Sequence, residues 1–274
     1  HKAAFEKAGI LHRDLSFHNT VLIGDGDDER GILIDWDLSR SLTSVDTGDA
    51  RVRGRTGTWQ FISHALLQHP TKKHSIEDDL ESSFWTLLWT LLHYVPSNLQ
   101  TIELVHVMGR VFDECSWNFP CGYYEGGTAK QLVFTNGFKG TTDYYLSFPH
   151  APPLDQLIQS LADLFEPWVY YSAQLLRNEE KALAKARNNA TGPSTTLSNV
   201  LKSDHVIKLF DDALASPGWP ARDVVENLIG KIPRHAPHSN SKPKRSSDFE
   251  GVSTAKIQRR SGTADAGSSL RLQT

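Results

Sequence analysis

Cysteine, methionine and long apolar runs are what this sequence has least of. Two cysteines and one methionine occur in 274 residues. Cys115 and Cys121 have no second Cys or His pair at zinc-ligand spacing, which excludes a zinc module and a disulfide framework. They read as reduced thiols, as expected of an intracellular, cytoplasmic protein. The longest apolar stretch, around Phe84 to Val95, is broken by Thr and His and falls well short of the roughly 20 residues that cross a bilayer. No membrane span is expected. The opening HKAAFEKAGI lacks the basic start and continuous apolar middle of a secretory signal. It begins on His1 rather than Met, as expected of a fragment of a longer protein. What is present is 39% apolar and 22% charged residues, enough for a sizeable core in one large or two small domains.

The formal net charge of −3 conceals an asymmetry. Residues 233–274 hold eight Lys or Arg against three Asp or Glu, leaving residues 1–232 at −8. The acidic body is expected to form the folded domain, and no direct nucleic-acid binding is expected. The tail, rich in Ser, Gly and Pro and poor in large apolar residues, cannot bury enough surface to offset its ordering entropy, so it reads as disordered. Within it, KPKR (Lys242 to Arg245) and KIQRR (Lys256 to Arg260) have the layout of a two-part nuclear import signal that an import receptor would read. Such clusters also occur in disordered tails without that use.

Residues 1–9 read as the end of a helix stopped by Gly9. Thr20 to Ile23 and Gly31 to Asp35 are short β-branched runs joined by GDGDDER, which suits a hairpin with a solvated tip. That tip resembles a calcium loop in its Asp and Gly order but lacks the closing Glu, so no calcium is expected. Leu38 to Arg55 is polar and irregular, a length that marks a functional loop. The segment SIEDDLESSFWTLLWTLLHY, from Ser75 to Tyr94, begins with a Ser cap and acidic residues and is then apolar on nearly all sides. It predicts a central buried helix with Trp85 and Trp89 in the core. Further helices are predicted over 99–112, 154–165, 170–187, 204–215 and 221–229, with 118–149 irregular. The fold class is therefore mainly α with one short hairpin.

The sequence HRDLSFHN places Asp14 and Asn19 five residues apart, and Asp35 follows sixteen residues after Asn19 at the end of an apolar strand. Phosphoryl transfer needs a carboxylate beside the attacking hydroxyl and oxygen ligands for Mg²⁺, all on rigid supports. Asp14 suits the first role; Asn19 and Asp35 suit the second. His12, between an apolar pair and these residues, reads as a packed core histidine.

HRDLSFHN, IDWDLS, RTGTWQFIS and EDDLESSFW, in this order, resemble the C-terminal lobe of protein kinases, and particularly the fungal-type protein kinases, over about residues 5–95. The resemblance implies a kinase-like C-lobe whose hairpin carries the metal-binding Asp. It implies that Asp14 is the catalytic-loop base, Arg13 the tether of an activation loop and Thr58 the hydrogen-bond partner of the catalytic Asp. It also implies that Asn19 and Asp35 hold Mg²⁺ and ATP, and that Asp79 braces the His-Arg-Asp turn. The Gly-rich loop, strand Lys and helix Glu of an N-terminal lobe have no counterpart in the chain. Three motifs depart from the wider kinase pattern. Ser16 stands where a Lys contacts the γ-phosphate, Trp36 and Asp37 replace the Phe and Gly of Asp-Phe-Gly, and Ser63, His64 and Ala65 replace Ala-Pro-Glu. The expected function is ATP- and Mg²⁺-dependent transfer of phosphate to a protein Ser or Thr. The alternatives are a pseudokinase or binding module without catalysis, and a small-molecule phosphotransferase suggested by IDWD.

Overall fold

The computed structural model describes residues 1–25, 28–42, 55–186, 201–220 and 227–229. The chain divides into His1–Pro233 and Arg234–Thr274, and every described residue lies in the first of these. The expected disordered tail, with both basic clusters, and most of the expected functional loop therefore lie outside the described residues.

The described part is mainly helical, as the apolar periodicity predicts. Helix α1 (Lys2–Ala8) ends at Gly9, and β1 (Ile10–Leu11) pairs antiparallel with β4 (Arg40–Ser41). Between them a short 3-10 turn (Phe17–Asn19) leads into β2 (Thr20–Ile23), which pairs antiparallel with β3 (Arg30–Leu33) in the register Thr20 opposite Leu33. This is the expected hairpin, although β3 stops two residues before Asp35.

Helix α2 (His64–Gln68) precedes α3 (Ile76–Tyr94), the predicted central helix. Asp78 reaches back to the Ser75 N–H at 2.8 Å, and three acidic residues occupy the first turn. Both satisfy or complement the free N–H groups of a helix start. Phe84, Trp85, Leu88 and Leu92 on α3 are fully buried. They belong to one core with residues of α4 (Thr101–Val111), α5 (Thr128–Thr142) and α6 (Pro152–Ala186). Trp85 is in this core as expected, whereas Trp89 is half-buried and stacks on His93 with ring centroids 3.5 Å apart.

Three predictions on this part of the chain need correction. The segment expected to be irregular, 118–149, contains most of the hairpin β5 (Ser116–Asn118) with β6 (Tyr123–Glu125), and then α5. Glycine and threonine hid this helix, which is two helical stretches joined across a non-helical Gly137. The two helices expected over 154–165 and 170–187 are one, α6. Pro167 lies inside it, and a proline normally ends a helix because it lacks an N–H and crowds the preceding turn. Here Leu161, Phe165, Trp168 and Val169, buried on both sides of the proline, hold the two halves in line. The helix expected over 221–229 lies mostly outside the described residues, and 227–229 are not helical. The last helix, α7 (Ser203–Ala215), agrees with expectation and packs on α6.

Candidate active site

The turn from His12 to Asp14 is built on α3. Asp79 is fully buried, and its two carboxylate oxygens accept the backbone N–H groups of His12 (2.8 Å) and Arg13 (3.0 Å). The same oxygens meet the rings of His1 (2.9 Å) and His74 (2.8 Å). This set of partners satisfies the hydrogen-bonding oxygens of a carboxylate held out of water. Arg13 adopts φ 72°, a left-handed conformation that an ordinary side chain takes up only when surrounding contacts impose it. Its guanidinium lies 3.4 Å from the Leu38 carbonyl. Burial lowers the Arg13 pKa, the nearby Arg40 lowers it further, and Asp79 works in the opposite direction. The activation loop that Arg13 was expected to tether lies largely in residues 43–54, outside the described residues.

His12 is the packed histidine predicted, fully buried against Trp36 with ring centroids 4.6 Å apart. One ring nitrogen lies 3.0 Å from the Ile34 carbonyl and the other faces the Asp14 N–H at 3.3 Å. A neutral imidazole serves both contacts with one donor and one acceptor. It thereby couples the Asp14 turn to the strand that leads into Asp35.

Among the described residues, Asp14 is held on one carboxylate oxygen only. Its Oδ1 accepts from both the Thr58 N–H (2.8 Å) and the Thr58 hydroxyl (2.9 Å). Gly57 permits this approach, because a Cβ there would lie 2.8 Å from the Arg13 carbonyl, and its φ of 109° disfavours any other residue. The Asn19 side-chain N–H donates to the Asp14 carbonyl at 2.9 Å, which turns the amide oxygen away from that bond. The Asn19 carbonyl accepts from the Ile34 N–H at 2.8 Å, so Asn19 and the approach to Asp35 are joined at the base of the hairpin. Asp35 is exposed and has φ 58°. The positive φ falls on Asp35 itself, and Asp tolerates this region better than most residues. Ser16 is buried and carries no charge into the site.

Among the described residues, no group of three or more His, Cys, Asp and Glu side chains is placed to hold a metal. The oxygens that Asp35 and Asn19 offer are nonetheless of the type Mg²⁺ prefers, since that ion keeps several waters and needs only one or two protein ligands beside phosphate. The donor set fits the group.

Glu81, Lys72 and Lys130 were not singled out from the sequence. The Glu81 carboxylate accepts from the His64 N–H (2.7 Å) and the Trp85 indole N–H (2.8 Å), and it meets the His64 ring at 2.9 Å. The start of α2 is thus tied to the central helix through Glu81. Asp78, also fully buried, meets the Ser63 hydroxyl at 2.6 Å and the Lys72 ammonium. Burial would raise its pKa, but Lys72, His74 and the hydrogen bonds from Lys72 and Ser63 outweigh it and hold the group below its ordinary value. Lys130 shares a helix face with the buried Val133 and Phe134, three and four residues on, and that shared face is the signal that marks a buried cation.

The turn that carries Asp14 is thus braced from a buried helix, with its carboxylate held on one oxygen and Asn19 bonded to its backbone. Residues 1–91 match the model of the fungal protein kinase family. That match covers a third of the chain and agrees with the motifs read from the sequence. No curated protein and no solved structure matches the chain.

Proposed function

We propose that the protein transfers the γ-phosphoryl group of ATP to a Ser or Thr hydroxyl of a protein substrate, using Mg²⁺. The observation that carries this reading is the asymmetry at Asp14. Thr58 occupies Oδ1 with two hydrogen bonds, and among the described residues no group bonds Oδ2. A fixed carboxylate with one open oxygen orients an acceptor hydroxyl and takes its proton as the oxygen attacks phosphorus. The new O–P bond replaces the bond between the β–γ bridging oxygen and the γ-phosphorus, and ADP leaves. Asp35 and Asn19 would hold Mg²⁺, which when bound neutralises charge on the phosphates. The neutral, buried Ser16 supplies no cation to the transferring group, so charge compensation falls to other groups.

The reading treats residues 1–232 as the kinase-like unit and 233–274 as an appended tail. It places the protein inside the cell, with an import receptor as a partner of the basic clusters. A second reading, a protein-binding module without catalysis, draws support from Trp117, Phe119 and Tyr124, which stand exposed on the β5–β6 hairpin.

Labelled phosphate transfer from ATP to an acceptor protein, assayed on the full-length protein with and without Mg²⁺, separates the two. Loss of a general base lowers kcat by about 10²–10⁴-fold, which is the expected result for Asp14→Asn. Asp35→Asn is expected to remove the Mg²⁺ dependence together with the activity. Transfer that survives both substitutions overturns the proposal, and a folded wild type that transfers nothing favours the binding module.

A further inference from the structure

The turn that holds Asp14 is itself held from beneath. Lys130 is fully buried, and its ammonium donates to the carbonyls of Gln60 and Ile62, both at 2.7 Å. It also lies 5.2 Å from the centre of the Trp85 ring. Two carbonyls and an aromatic face thus surround the three N–H groups of an ammonium. Between those carbonyls, the Phe61 and Ile62 N–H groups close back on the Thr58 carbonyl at 2.9 and 3.2 Å. Thr58 is the residue that fixes Asp14, so any shift of the 60 and 62 carbonyls moves the donors on the Asp14 carboxylate.

We infer that Lys130 is a proton-dependent positioning residue: as an ammonium it clamps the 58–62 turn, and through Thr58 the Asp14 carboxylate, and on losing its proton it loosens both. This rests on the role of Asp14 proposed above. The charged groups facing Lys130 are Glu81 from α3 and Glu114 and Asp113 from the segment after α4. Burial pulls its pKa from the ordinary 10.5 to about 7, against the opposing pull of Glu81, Glu114 and Asp113. A neutral amine keeps two N–H groups but loses the charge that makes such bonds roughly twice as strong.

Clamp and stability respond to pH in opposite directions. Between about 7 and 10.5 the unfolded chain holds a proton that folded Lys130 lacks, so its contribution to stability rises with pH. The clamp weakens over the same range. A purely structural lysine would give the first effect without the second.

The test is amide hydrogen exchange of the full-length protein from pH 6 to 8.5, corrected for intrinsic rates, with α3 as internal reference. In the wild type, protection of the Phe61 and Ile62 amides relative to α3 is expected to fall about tenfold through a midpoint near 7, in line with the loss of one charged hydrogen bond. In Lys130→Met the protection is expected to be low and independent of pH. Glu81→Gln removes a charge that favours the ammonium and is expected to move the midpoint down. If Lys130→Met does not fold, the wild-type series and Glu81→Gln decide. Wild-type protection that is flat with pH, or a folded Lys130→Met indistinguishable from wild type, overturns the inference. If protection titrates as expected but no phosphate is transferred, the clamp stands and the proposed function fails.

Discussion

The hairpin that leads to Asp35 and the helix that supports Asp14 are packed in opposite ways. On β2 and β3, Leu22 is 68% exposed and Ile32 37%, and Ile34 just beyond β3 is 39% exposed. On α3, Phe84, Trp85, Leu88 and Leu92 are fully buried, and so are the carboxylates of Asp78, Asp79 and Glu81. Asp35 therefore sits at the end of a thin, solvent-facing ribbon, while the carboxylate that bonds the turn before Asp14 lies inside the core. Asp79 on α3 bonds the turn that carries Asp14, and Lys130 on α5 bonds the segment that follows Thr58. The hairpin itself contributes little packing.

Three substitutions test this contrast, the largest expected effect first. Trp85→Ala should lower stability by about 3–5 kcal/mol, the range for emptying a buried aromatic site. Urea unfolding measures it, and a value near zero would show that α3 is not the centre of the core. Asp79→Ala should lower stability by about 1–3 kcal/mol, because it strands the buried N–H groups of His12 and Arg13. It should also abolish the phosphate transfer proposed here, and an unchanged melting temperature would disconnect the turn from the helix. Leu22→Thr should change stability by no more than about 0.5 kcal/mol, as for other exposed positions. A loss comparable to that of Trp85→Ala would erase the difference between ribbon and core.

Much of this arrangement was legible in the sequence. Asp14, Asn19, Thr58 and Asp79 were each marked by a motif, and the structure brings Asn19, Thr58 and Asp79 to the turn that carries Asp14. The apolar run after Ser75 showed α3 because a helix buried on all sides leaves a continuous signal. Less legible were features that depend on contacts distant in sequence. Lys130 reads locally as an ordinary helix lysine, and only the fold brings it to the carbonyls of Gln60 and Ile62, 70 and 68 residues away. Pro167 reads as a helix end, and only the packing of Phe165 and Trp168 keeps α6 continuous. Glu81 and His64 look unrelated until the fold makes them partners, since no spacing rule connects a short helix to a buried one.

The same long-range bonds bear on how the protein reaches its folded form. The contacts that shape the Asp14 turn join residues 44, 66 and 67 positions apart, and those of Lys130 span 68 and 70. Closing such loops costs chain entropy before any contact repays it, and topologies rich in distant contacts fold slowly. A partly folded chain can contain α3 and the β2–β3 hairpin, each closed by nearby residues, without containing an oriented Asp14. Orientation of Asp14 therefore requires the closure of long loops, and its bond to Thr58 joins the turn after β1 to the segment before α2.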